Sequence, residues 1–147
     1  MSVYQDSAKY ASYFSASEGE KDATIALSLA KDLNQPAGSA MYFSVDYDAT
    51  NPHMASNKEY FSALQSVFDT ADVKYKIGVY GNGLTCRIIK DEEKYAEYSW
   101  LSHSIGHEEY LQYDFPDKYN IKQAEFVFYN NIQFDDNIAV GDDYGQW

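Results

Sequence analysis

One segment constrains this chain more than any other. From Ala40 to Val45 the residues are Ala-Met-Tyr-Phe-Ser-Val, with only Ser44 breaking the apolar run. A strand this apolar leaves no face for water, as in a central parallel strand covered on both sides. Parallel neighbours need crossover connections, usually helices. The flanking sequence supplies them: Ile25, Ala26, Leu29, Ala30 and Leu33 recur at helical spacing before the segment, and Tyr60, Phe61, Leu64, Val67, Phe68 and Ala71 after it. Ser17 and Glu20 form a Ser-x-x-Glu capping box that predicts the start of the first helix, and Pro36 and Gly38 mark its end.

Further strands are expected at Val3-Tyr4-Gln5, at Tyr75 to Tyr80 before Gly81-Asn82-Gly83, at Tyr98 to Leu101, at Ile121 to Phe128 and at Ile132 to Phe134. Leu84 to Lys90 offers a short helix. This alternation predicts an α/β fold on a parallel sheet. With no linker, low-complexity tract or longer repeat, residues 1–147 read as a single domain.

Charge excludes several partners. Eleven Lys and Arg against 23 Asp and Glu leave a net charge of −12, which repels nucleic acid and anionic membrane surfaces. No apolar run approaches the roughly 20 residues of a membrane span, and Met1 to Asp6 has no secretory-signal pattern. Cys86 is the single cysteine, read as a small buried hydrophobe. Fifteen tyrosines are unusual, because each joins a stacking face to a hydroxyl, a combination suited to carbohydrate.

Four stretches carry a resemblance: Val3-Tyr4-Gln5-Asp6-Ser7, the run from Gln35 to Asp48, Ile77-Gly78-Val79-Tyr80-Gly81, and the ending Gly141-Asp142-Asp143-Tyr144-Gly145-Gln146-Trp147. Together they resemble the glycoside-hydrolase-like domain of bacterial cell-wall proteins, a relative of the glycoside hydrolase family 25 lysozymes. The part around Phe43-Ser44-Val45-Asp46-Tyr47-Asp48 is the most specific. The resemblance implies a (β/α) TIM-barrel-like fold, incomplete or truncated, because the full barrel has eight strands and this chain offers about six βα units. It would lack the first two strands and form the C-terminal three quarters of a barrel. A second copy of the chain or additional domains would then seal the open edge.

The implied activity is hydrolysis of cell-wall polysaccharide, peptidoglycan in particular, and the implied location is extracellular or wall-associated. Asp46 and Asp48 share one side of a strand end, roughly 7 Å apart at Cα, on the mouth of such a barrel. Glycosidases pair one protonated carboxyl with one ionised one. The second acid of this strand is usually glutamate in the family 25 relatives, so Asp48 is shorter by one methylene. Asp135 of the Asp135-Asp136 pair resembles the acidic end of the last barrel strand, and alternation turns only one of the two to the mouth. Tyr80 and Trp100 would offer platforms for sugar faces, and Gln5, Asp6 and Gln123 hydrogen bonds to hydroxyls.

Competing readings remain beside these. Asp46 and Asp48 could be a solvated strand end or Ca²⁺ ligands, and Asp135 an exposed acidic turn. His103 and His107 are four apart without a His-Glu-x-x-His pattern, and Gly81-Asn82-Gly83 has no Lys-Ser/Thr of a phosphate loop, so neither metal nor cofactor is expected. The alternative function is a non-catalytic wall- or carbohydrate-binding module on a degenerate hydrolase barrel.

Overall fold

A computed structural model describes residues 1–107 and 110–147. Six strands form one sheet in sequential order: β1 (Ser2–Tyr4), β2 (Ala40–Ser44), β3 (Lys76–Gly81), β4 (Tyr98–Leu101), β5 (Ile121–Tyr129) and β6 (Ile132–Ala139). The first five are parallel, and the sheet curls into a half-barrel. The sixth departs from the expected alternation. It returns antiparallel through Asn130 and Asn131, both at positive φ, making a hairpin with β5. Two consecutive left-handed residues are what a tight hairpin turn requires, and asparagine tolerates them better than most side chains.

Helices α1 (Ala16–Asp32) and α2 (Met54–Thr70) make the first two crossovers. The turn α3 (Gly83–Cys86) runs on into a π-helical segment, Arg87–Glu92, and the short α4 (Tyr110–Tyr113) lies between β4 and β5. Among the described residues, no helix is long and apolar enough to cross a membrane.

Helix α1 starts earlier than the capping box at Ser17 predicts. Ser15 is the N-cap, its Oγ accepting the Glu18 N–H at 3.3 Å. The buried face also differs from the expected one. Gly19, Ala23, Ala26 and Ala30 are buried, whereas Ile25, Leu29 and Leu33 are exposed. The reason is close approach to α2: a Cβ on Gly19 would collide with the Tyr60 carbonyl oxygen. Small residues therefore define the seam, and the bulkier ones turn outward.

Alternation along the strands sorts two cores. Met41, Phe43, Val45, Ile77, Val79 and Leu101 join Ala26, Phe61, Leu64 and Phe68 of the helices in the larger one. Ala40, Tyr42, Tyr98 and Ile121 form a smaller one on the other face, with Trp100 and Tyr144 against it. The C-terminal segment covers that face. The Ala40 N–H donates to the Gly145 carbonyl and the Tyr42 hydroxyl to the Tyr144 carbonyl, both at 2.8 Å. The face thus becomes a packed core at its lower end and stays open at its upper end, where the strands terminate.

Candidate functional site

The register brings the site residues level. Ser44 pairs with Tyr80, Tyr80 with Trp100, and Trp100 with Ile121, so the three side chains at 44, 80 and 100 stand in one row on one face. Gln123 follows Ile121 by two residues, and Asn137 is its antiparallel partner. Gln5 and Asp46 lie just past the ends of β1 and β2. Every strand therefore contributes to a cleft of about 410 Å³, whose walls include Gln5, Ser44, Asp46, Tyr80, Trp100, Gln123, Asp135 and Asn137.

A second hollow of about 270 Å³ shares Asp46, Tyr80 and Gln123 with the first, and adds Tyr47, Asp48, Ser102, His103, Ser104 and His107. The two form one trough, with Asp46 common to both parts. Of the residues expected from the sequence, Gln5, Asp46, Tyr80, Trp100, Gln123 and Asp135 line the main cleft, and Asp48 lines the extension. Asp6 is exposed and lines neither. Asp135, rather than Asp136, faces the cleft, but from within β6 and not from the strand end that its place after Phe134 implied.

Hydrogen bonds hold the walls. Gln5 Nε2 donates to Asp46 Oδ2 at 3.0 Å, tying the ends of β1 and β2 together. Gln123 Oε1 accepts from the Tyr80 hydroxyl at 2.9 Å and from the His103 backbone N–H at 3.0 Å. With its oxygen so engaged, the Gln123 amide NH₂ is left to donate into the trough. The Trp100 indole N–H donates to Asn137 Oδ1 at 2.9 Å. The Trp100 ring is also held edge-on by Tyr80, with centroids 5.3 Å apart, and by Tyr42, at 6.0 Å.

Burial, followed by the nearby Asp46 and Asp135 carboxylates, pushes the Tyr80 hydroxyl up to about 12, so it stays a proton donor in the physiological range. In the extension, His107 Nδ1 lies 3.4 Å from Asp48 Oδ1. His103 and His107 sit in the loop after β4 and not on a shared helix face. Among the described residues, no three His, Cys, Asp or Glu side chains are grouped to hold a metal ion. Cys86 is fully buried with its thiol pushed up to about 12 by that burial, leaving it a packing residue.

Ser44 and Asn137 are lining residues that sequence reasoning passed over, and His107 is one it weighed only as a metal ligand. Ser44 carried a signal, as the one polar residue in the apolar run. Asn137 also did, two residues after Asp135 and so on the same face of an extended strand. His107 had none, because its approach to Asp48 depends on a loop.

Known proteins share this arrangement of sequence. Two Bacillus subtilis (strain 168) proteins are similar to the chain: uncharacterized protein YbfG, 35% identical over 130 residues, and uncharacterized protein FadG, 29% identical over 150 residues. The alignments take in 82% and 97% of this chain but 17% and 26% of those proteins, so the chain spans about a quarter or less of the curated relatives it matches. No solved structure is significantly similar to it. The family model described as Rv2525c-like, glycoside hydrolase-like domain matches residues 1–139, which hold the whole sheet, and the chain belongs to that family.

Proposed function

We propose that this domain binds bacterial cell-wall polysaccharide, of the peptidoglycan type, in the trough and hydrolyses a glycosidic bond there. The observation that carries the reading is the convergence of side chains from all six strands on one cleft with carboxylates at Asp46 and Asp135. Asp46 is the central group, since it lines the main cleft together with Asp135 and the extension together with Asp48. One carboxyl of the set would protonate the leaving oxygen while another, ionised, stabilises the oxocarbenium-like transition state or activates water. Tyr80 and Trp100 supply aromatic surface for the sugar ring, and Gln123 a fixed donor. Kinship with the family 25 lysozymes, two strands supplied by other chain segments or a second copy, and an extracellular or wall-associated location belong to the same reading.

A second reading is a wall-binding module without turnover. It is favoured by Asp at position 48, where the lysozyme relatives usually have glutamate, and by its engagement with His107. One experiment separates the two. Purified peptidoglycan is incubated with the parent and with Asp46→Asn/Asp48→Asn, and both reducing-end release and retention on the wall are measured. Release lost in the variant supports hydrolysis. Retention by both proteins without release supports the binding module, and neither release nor retention sinks both readings.

A further inference from the structure

The trough is acidic, and its main cleft holds no basic side chain among the described residues. Asp46, Asp48 and Asp135 line it, and among the described residues no Lys or Arg side chain does. Basic side chains form ion pairs elsewhere, as in Lys58 with Glu93 and Lys122 with Asp114. A chain carrying −12 adds to the negative field over the site. The walls at Tyr80 and Trp100 are aromatic, and ring faces attract cations.

A separate observation points to a missing ligand atom. Ser44 is 3% exposed, lines the cleft in the same row as Tyr80 and Trp100, and its hydroxyl has no hydrogen-bond partner among the described residues. A buried hydroxyl is rarely left unmatched, because losing water without replacement is costly. Several other polar groups of the main cleft are held by a neighbour: Gln5 by Asp46, the Gln123 oxygen by Tyr80, and the indole N–H by Asn137. Ser44 Oγ, the Gln123 NH₂, Asp46 Oδ1 and the Asp135 carboxylate are what the main cleft offers a guest.

We propose that the subsite between Asp46 and Asp135 selects an amino sugar with a free ammonium group, a de-N-acetylated hexosamine, over N-acetylated or carboxylate-bearing sugars. The inference rests on the polysaccharide reading above and gives its substrate class. The ammonium group would lie between the carboxylates, and a hydroxyl of the same ring would pair with Ser44 Oγ. A uronic or lactyl carboxylate at this position would meet the Asp46 and Asp135 carboxylates, with no Lys or Arg among the described lining residues to offset them.

The test is calorimetric titration of the full chain with three short oligosaccharides of equal length: glucosamine, N-acetylglucosamine and galacturonate oligomers, at mildly acidic pH and moderate salt. Glucosamine oligomers should bind about tenfold tighter than N-acetylated ones, and galacturonate should not bind measurably. Asp135→Asn should remove most of that preference. Asp72→Asn, which deletes an exposed charge outside the trough, should leave it intact, separating the subsite from the chain's general acidity. Ser44→Ala should weaken glucosamine binding about threefold with an unchanged melting temperature, since the hydroxyl holds nothing within the fold. Equal binding of acetylated and free amino sugars, or equal losses in the Asp135 and Asp72 variants, overturns this inference alone. No binding of any oligosaccharide overturns the polysaccharide reading with it.

Discussion

The Tyr80 hydroxyl donates to Gln123 Oε1 at 2.9 Å, spanning from β3 to β5 past Trp100 on the strand between them. Strands two apart are separated by roughly 10 Å at the backbone, a gap that these two long side chains bridge together. The bond also sets which end of the Gln123 amide faces the trough. Tyr80→Phe keeps the ring and leaves the Gln123 oxygen held by the His103 backbone N–H alone. We expect oligosaccharide affinity to fall about fivefold by calorimetry, with stability lowered by about 1 kcal/mol. Unchanged affinity would show that the amide's orientation plays no part in binding.

The fold has a second polar centre with no place in the trough. Asp22 is fully buried and accepts the hydroxyls of Tyr4, Tyr13 and Tyr60 at 3.1, 2.6 and 2.7 Å. Burial and the Asp22 carboxylate push all three hydroxyls well above the ordinary phenol range. Asp22→Ala removes the shared acceptor of three hydroxyls, the Tyr60 one in the buried core. Chemical denaturation should show a loss of about 3 kcal/mol, against about 1 kcal/mol for Tyr4→Phe, which removes only the longest bond. Similar losses in the two variants would contradict a shared acceptor.

Closure by the C-terminal segment depends on Gly145. Its φ is +73°, and an added Cβ would collide with the Ala40 side chain. Gly38 has φ +83° but open space around its Cβ position. Gly38→Ala should therefore cost about 1 kcal/mol from backbone strain alone, and Gly145→Ala about 3 kcal/mol from strain plus overlap. Thermal unfolding of both variants checks the difference, and equal melting temperatures would mean that the tail does not pack as described.

The same segment should loosen in acid. The Gly145 N–H and the Tyr98 hydroxyl hold the Asp143 carboxyl below the usual carboxylate range. A group depressed in the folded state contributes stability above its unfolded pKa, near 3.9, and that contribution is lost as pH falls through the folded value. The Gly145 amide resonance, followed by NMR, should titrate with a midpoint below that reference. Asp143→Asn should abolish the titration, and a midpoint at or above the reference would refute the anchoring.

Much of this molecule follows from local pattern. The apolar run at Ala40 to Val45 and the period-two alternation in each strand decide which side chains share a face. Gln5, Asp46, Tyr80, Trp100 and Gln123 could therefore be named as neighbours before any coordinates, because parallel strands in sequence order present their ends together. Three features escaped that reasoning, each for a physical cause. The hairpin of β5 and β6 depends on Asn130 and Asn131 adopting positive φ, which asparagine allows without requiring. The buried face of α1 was decided by close approach to α2 at Gly19, a contact between segments about forty residues apart that helical periodicity does not encode. The approach of His107 to Asp48, like the separation of Asp48 from the main cleft, was settled by a loop whose path depends on what it packs against. Local spacing determined the sheet and most of one wall of side chains; the sheet's curl and the contacts between distant segments decided which carboxylates share a cleft and which polar groups remain free, because neither is encoded by the spacing within one strand or helix.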